Sequence, residues 1–390
     1  MALSKIDIEN MVTGETPVAN GGTGQTTLAA AGLTRPLSKP IIINGNQSLS
    51  QRTTSVTASD GIYCTDRIKH TLSNDGAATI TQESLSSGSA FTDGFANAMK
   101  IDVTTADGSL SAAQKYHFRY NIEGQDIQNI KKGTANAEKL TLAFWVKATK
   151  TGTNIVRCYT ADSDRSCSIA YTVSSSDTWE KKILNFPADT TGTVIADDNT
   201  VGMTFTWGVA AGSNFTSGTL ATAWASNTSA NDFVGQVNNL DSTSNNFHIT
   251  GIQLEIGEFS STTIPPFQHE SFADNLTRCQ RYFRSYGGGD AHEQIAVGYN
   301  STTTQGATFL DYSSPVMRAS PTLAVSANGD WKIYSIATAY ECNSNMGASD
   351  TTPRNMKIFT PHAGSTTVGQ GCMLQADNTT NARLTLDAEL

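Results

Sequence analysis

Charge is scarce in this chain. Asp, Glu, Lys and Arg make up 16% of its 390 residues, against roughly a quarter in an ordinary soluble protein. Hydrophobic residues do not take their place, standing at 38%, so the balance has gone to Ser, Thr, Asn and Gly. That mixture suits strands joined by tight turns and a surface solvated by neutral hydrogen-bonding groups. Recurring apolar strand runs exclude a disordered chain. The charge that remains is acidic, a formal −9. It argues against binding nucleic acid through phosphates and against docking on an anionic membrane. No run reaches the ~18 apolar residues of a membrane-spanning helix, so no membrane insertion is expected. The opening MALSKIDIENM has no apolar stretch of the secretory kind, and a chain folded in a cytosol is expected.

Cysteine is also sparse. Six in the whole chain are too few and too scattered for a disulfide framework. None forms Cys-x-x-Cys and no His pair has zinc spacing, so neither a metal nor a cofactor is expected. Cys158 and Cys167 flank the turn-rich YTADSDRS and could face each other across a hairpin, although cytosolic thiols stay reduced. A nucleophile elbow of the form Gly-x-Ser-x-Gly is absent. The six histidines, His70, His117, His248, His269, His292 and His362, stand singly, and His117 and His248 are expected to face solvent from strands. Asp162/Asp164, Asp197/Asp198 and Glu255/Glu258 are carboxylate pairs of the kind that could flank a glycosidic bond at about 5–10 Å. The repeats of a long parallel β-helix are missing, and the ADSD and ADDN loops lack an EF-hand pattern. No catalytic residue, and no enzyme, is expected.

Three regions separate by pattern: 1–55, 56–272 and 273–390. The first carries PVANGGTGQTTLAAAGL (Pro17–Leu33), where Gly21, Gly22 and Gly24 permit positive φ. A phosphate cradle is ruled against by the missing Walker lysine and the lack of a preceding strand. In the second region Lys115–Asn121 (KYHFRYN) alternates Tyr116, Phe118 and Tyr120 with His117 and Arg119, the period of a half-buried strand. IEGQDIQNIKKG offers a short amphipathic turn. Strands follow at Leu140–Val146, Ile155–Tyr159, Cys167–Val173, Lys182–Phe186, Met203–Val209 and Phe247–Ile256, the spacing of an antiparallel sandwich. In the third region strands are predicted at Ile295–Tyr299, Gly306–Leu310, Thr322–Val325, Trp331–Ala337, Met356–Thr360 and Ala382–Leu386. Aromatic faces can stack on sugar rings. The best-placed candidates are Trp224 in the loop-like LATAWASNTS, and Tyr286, Trp331 and Tyr334 in the last region.

Several motifs resemble those of bacteriophage tail-fibre and virion-surface proteins. One is the junction Gly251–Phe283 (GIQLEIGEFSSTTIPPFQHESFADNLTRCQRYF), where a strand passes through a Pro break into Leu-x-x-Cys-Gln-Arg-Tyr-Phe. Another is Asn20-Gly21-Gly22-Thr23-Gly24, similar to the attachment element of such fibres. The order YHFRYNIEGQDIQNIKKG, LTLAFWVKAT, TVSSSDTWEKKILNF, GIQLEIG resembles their carbohydrate-binding-module-like jelly roll, and SSPVMRASPTLAVS and LDAEL resemble their terminal module. The resemblance implies an all-β chain: an extended N-terminal attachment and oligomerisation region, a jelly-roll sandwich, and a second, smaller β-sandwich. It further implies a homotrimeric tail fibre on the virion, assembled in the host cytoplasm. Other tail or virion proteins would be its partners through Asn20–Gly24, and host-surface glycan would be contacted non-covalently. Two alternatives stay open: a capsid decoration or head-fibre protein, and a glycan-degrading virion enzyme.

Overall fold

The computed structural model describes residues 39–73 and 75–390, so the attachment element Asn20–Gly24 lies outside the described residues. The first module contains strands β1 (Ser55–Thr57), β2 (Ile68–Ser73), β3 (Ala77–Ser84), β4 (Asn97–Thr105), β5 (Lys115–Glu123) and β6 (Leu140–Ala148). It continues with β7 (Gly152–Thr160), β8 (Arg165–Val173), β9 (Glu180–Phe186), β10 (Val201–Ala211), β11 (Ala225–Ser226) and β12 (Asn246–Ile256). They form two antiparallel sheets, ordered β1-β3-β4-β12-β6-β9 and β11-β8-β7-β10-β5-β2. The chain passes from one sheet to the other at β1–β2, β2–β3, β4–β5, β5–β6, β6–β7, β8–β9, β9–β10 and β11–β12, which is jelly-roll winding. The chain is all-β, as expected.

Alternation builds the core. In β5 Tyr116, Phe118 and Tyr120 turn inward and are almost fully buried. Trp207 of β10 sits opposite Phe118 and stacks on it, with centroids 5.3 Å apart, while Phe144 of β6 meets the indole edge-on at 6.0 Å. Each such side chain contributes about 1.5–3 kcal/mol by leaving water. Strand β12, the GIQLEI segment, lies between β4 and β6 and has a register shift between Thr250 and Gln253. Gly251 holds φ +61° there, and a Cβ on it would lie 2.7 Å from the Phe95 ring. Only glycine fits that position.

Residues 39–54, expected in the N-terminal region, are built into the fold where described. Ile41 and Ile42 join the sandwich core, because three consecutive isoleucines cannot be left in water. Ile43 and Leu49 pack with Cys279 and Tyr282 in a separate cluster. The clamp on this segment is a helix, Phe272–Cys279, where sequence patterning predicted the start of a β-module. Ser271 caps it by accepting from the Asp274 amide at 3.1 Å. Buried Asn275 accepts from the Asn44 amide at 3.0 Å, and Arg278 donates to the Pro40 carbonyl at 2.7 Å.

The second module contains β13 (Phe283–Tyr286), β14 (Gln294–Thr302), β15 (Gln305–Asp311), β16 (Thr322–Val325) and β17 (Trp331–Ser335). After these come β18 (Thr338–Glu341), β19 (Gly347–Ser349), β20 (Asn355–Pro361), β21 (Gly371–Ala376) and β22 (Leu384–Asp387). A three-stranded sheet, β13-β22-β16, faces a seven-stranded one, β18-β17-β21-β14-β15-β20-β19. Their shared core holds Trp331, Ile333, Ile358 and Leu374. Ion pairs lock the two modules together. Arg281 makes a two-pronged bond to fully buried Glu123, at 2.8 and 2.7 Å. Buried Arg67 pairs with Glu389 and lies 3.3 Å above the Tyr282 ring. Arg52 reaches Asp387 at 2.9 Å.

Candidate functional site

The outer face of the β11-β8-β7-β10-β5-β2 sheet carries the site. Because Tyr116, Phe118 and Tyr120 point into the core, Lys115, His117 and Arg119 must point out. Register does the rest. Lys69 of β2 lies opposite Arg119, Arg119 opposite Thr206 of β10, and Thr206 opposite Arg157 of β7. One straight row, Lys69–Arg119–Thr206–Arg157, therefore crosses four adjacent strands, about 14 Å at the usual strand spacing. It floors a groove of about 590 Å³, within the roughly 300–1,000 Å³ of ligand sites. One wall is the loop before β12. Its Asp232 and Phe233 line the groove, and Gln236 fastens it by accepting from the Ile155 amide at 2.8 Å and donating to Asn154 at 2.9 Å. Gly208, opposite His117, permits this closure: a Cβ there would lie 2.9 Å from Phe233.

The groove side chains bring four cations, Lys69, Lys115, Arg119 and Arg157, against two carboxylates, Asp60 and Asp232. Their circumstances differ. Arg157 is held fast: Nε lies 2.9 Å from Asp232 Oδ1, an ion pair aligned too poorly to be a hydrogen bond. Its Nη2 donates to Asn227 at 2.6 Å, and the guanidinium stacks 4.6 Å from the Tyr159 ring centre. Lys115 lies over the Phe215 ring at 4.4 Å, and burial lowers its pKa while Asp232 opposes the shift. Burial raises the Asp232 carboxyl to about 6, with Arg157 and Lys115 pulling it back. Arg119 has no acceptor among the described residues, and its Nε is buried without a partner. His117 stacks on Phe233 at 6.2 Å, and its Nδ1 is buried and unbonded. Burial, helped by Lys115 and Arg119, pushes its pKa down to about 3, so the ring is neutral at physiological pH.

The aromatic candidates read from the sequence are not brought together. Trp331 is 0% exposed; it fills the core of the second module and donates to Ser326 Oγ at 3.1 Å. That corrects its assignment as a stacking platform, since no face is free. Tyr286 is half-buried against the same core. Trp224 is half-buried against the sandwich core, its Nε1 donating to the Pro187 carbonyl at 2.7 Å. Tyr334 points outward from β17, opposite Met373, in a row continued by Val297 and Phe309. Those last two are 66% and 53% exposed.

The expected solvent exposure of His117 and His248 is also corrected: both are buried. They do point away from the core, but Phe233 covers His117. Trp179 and Glu83 cover His248, the latter at 3.0 Å. Cys158 and Cys167 do face each other across the β7–β8 hairpin, as free buried thiols. The carboxylate pairs serve local structure: Asp162 accepts from the Ala196 amide, Asp198 from Thr200, Glu255 from Gln253, and Glu258 pairs with Lys139. What sequence reasoning missed was the row itself. Its one visible signal was the Lys115-x-x-x-Arg119 polar face in a chain so poor in charge.

No family model and no curated protein matches the sequence. Among solved structures, the enzymatically active domain of tailspike protein 4 of bacteriophage CBA120 is similar at 12% identity and TM-score 0.28. That likeness covers 56% of this chain but only 21% of the tailspike chain. A family 11 carbohydrate-binding module of a cellulosomal cellulase from Clostridium thermocellum is similar at 11% identity and TM-score 0.27, over 53% of this chain and 97% of the module. Discoidin II of Dictyostelium discoideum is similar at 8% identity and TM-score 0.16, over 78% and 87%. At these TM-scores the likenesses carry no functional argument.

Proposed function

We propose that this chain is a virion attachment protein, a tail fibre whose sandwich holds host-surface glycan in the outer-face groove without turning it over. The observation that carries the reading is the groove. It is open, spans four strands, and is lined by the part-buried Arg119 guanidinium, which no described residue answers, beside the half-buried ring of Tyr159. Sugars are recognised by that pairing of polar rim and flat apolar surface. The motif resemblance in the Asn20–Gly24 element and the Gly251–Phe283 junction supports placing it on a fibre. In this reading the N-terminal region docks on other tail or virion proteins and three copies assemble. Trimerisation multiplies weak single-site contacts by avidity.

The test is binding of purified full-length protein to host-envelope polysaccharide, with reducing-sugar release followed in the same samples. Saturable binding without release is the expected result. Release at substoichiometric protein would replace this reading with the enzyme. Imaging of intact virions completes the test: copies at the tail fit a fibre, and copies confined to the capsid overturn it in favour of a decoration protein.

A further inference from the structure

Resting on that reading, we infer that the groove takes an acidic glycan, a saccharide whose carboxylate or phosphate is held by Arg119 at the centre of the Lys69–Arg119–Thr206–Arg157 row. Three observations lead there. Lys69 and Arg119 are direct cross-strand neighbours, and like charges in that position destabilise a sheet. A charge-poor, net acidic chain keeps them together regardless.

Second, Arg119 is alone in its condition. Every other arginine among the described residues except exposed Arg354 gives its guanidinium a carboxylate, amide or carbonyl acceptor. Arg119 is partly buried and has none. An unanswered guanidinium in a groove matches the planar, two-pronged geometry of carboxylate and phosphate. Third, Asp232 answers Arg157 and leaves Lys69 and Arg119 as the row's two cations without a carboxylate partner among the described residues. His117, nine-tenths buried with an unbonded Nδ1, supplies a neutral ring beside the cations.

The test titrates the full-length protein calorimetrically with three oligosaccharides of equal length: an oligogalacturonate, its carboxyl-reduced neutral counterpart, and a phosphorylated oligomannose. Arg119→Gln is the variant and Arg354→Gln the control. Binding of an acidic ligand that weakens about ten- to hundred-fold in Arg119→Gln, stays intact in Arg354→Gln and falls with added salt is the expected result. The oligogalacturonate and phosphate arms show which anion is preferred. Equal binding of the neutral ligand, unaltered by Arg119→Gln, overturns the acidic specificity while leaving the glycan reading standing. Failure of all three, together with failure of host-envelope polysaccharide, overturns both. Arg119→Gln removes a like-charge neighbour of Lys69, so its melting temperature is expected at or above wild type; a large drop would contradict the repulsion argument.

Discussion

Glu123→Ala should uncouple the two modules. The carboxylate is fully buried and takes two bonds from Arg281, at 2.8 and 2.7 Å, and one from Gln125 at 2.7 Å. Truncating one partner of a buried pair costs about 3–5 kcal/mol, mostly because the other charge is left unanswered. Arg281 keeps 29% of its side chain in water, which softens that penalty and places the expected loss near the lower end, about 3 kcal/mol. Removing both charges should cost less: in Glu123→Met/Arg281→Met no orphan charge remains, and loss of about 0–2 kcal/mol is expected. Urea unfolding followed by tryptophan fluorescence measures each loss, with Glu123→Met and Arg281→Met as the singles that close the double-mutant cycle. A Glu123→Ala loss under about 1 kcal/mol, or a double variant as unstable as the sum of the singles, would refute the claim that this pair locks the modules.

Binding of an acidic ligand should strengthen as pH falls from about 7.5 towards 5.5. Protonation of Asp232 near 6 removes a negative charge from the groove and frees Arg157; Lys115 on β5 is the other cation facing it, and His117, already neutral, does not contribute. Calorimetry in buffers of different ionisation enthalpy should show proton uptake on binding, and Asp232→Asn should abolish it. Trp331→Ala should cost about 3–5 kcal/mol through its core cavity while leaving groove affinity intact; lost affinity with unchanged stability would restore Trp331 as a ligand platform. Cys158 and Cys167 should resist iodoacetamide in the native state. Burial pushes both thiols up, Cys167 to about 12, and mass spectrometry should find labelling only after unfolding.

Strands with clean alternation were legible in the sequence. KYHFRYN, LTLAFWV and MTFTWGV became β5, β6 and β10, with Tyr116, Phe118, Tyr120, Phe144, Phe205 and Trp207 inward and Trp145 on the outer face. Helix Phe272–Cys279 was not, because its eight residues carry only a short apolar stripe and their signal is the cap, Ser271 with Asp274. Two motifs that stood out, YNIEGQD and CQRYF, prove to meet: Glu123 of one holds Arg281 of the other. The groove was illegible for a physical reason. Lys69, Arg119, Thr206 and Arg157 become neighbours only through the register of three strand pairings, and no local pattern encodes register across such separations. Aromatics drew attention as sugar platforms, but a large apolar ring gains most by burial, which is where Trp331 went.

The most direct measurement is a crystal structure of the full-length chain with a host-surface oligosaccharide bound. The account predicts the sugar across β2, β5, β10 and β7, with an anionic group on Arg119. Sugar bound instead on the Tyr334, Val297 and Phe309 face of the second module, with the Arg119 groove empty, would contradict it.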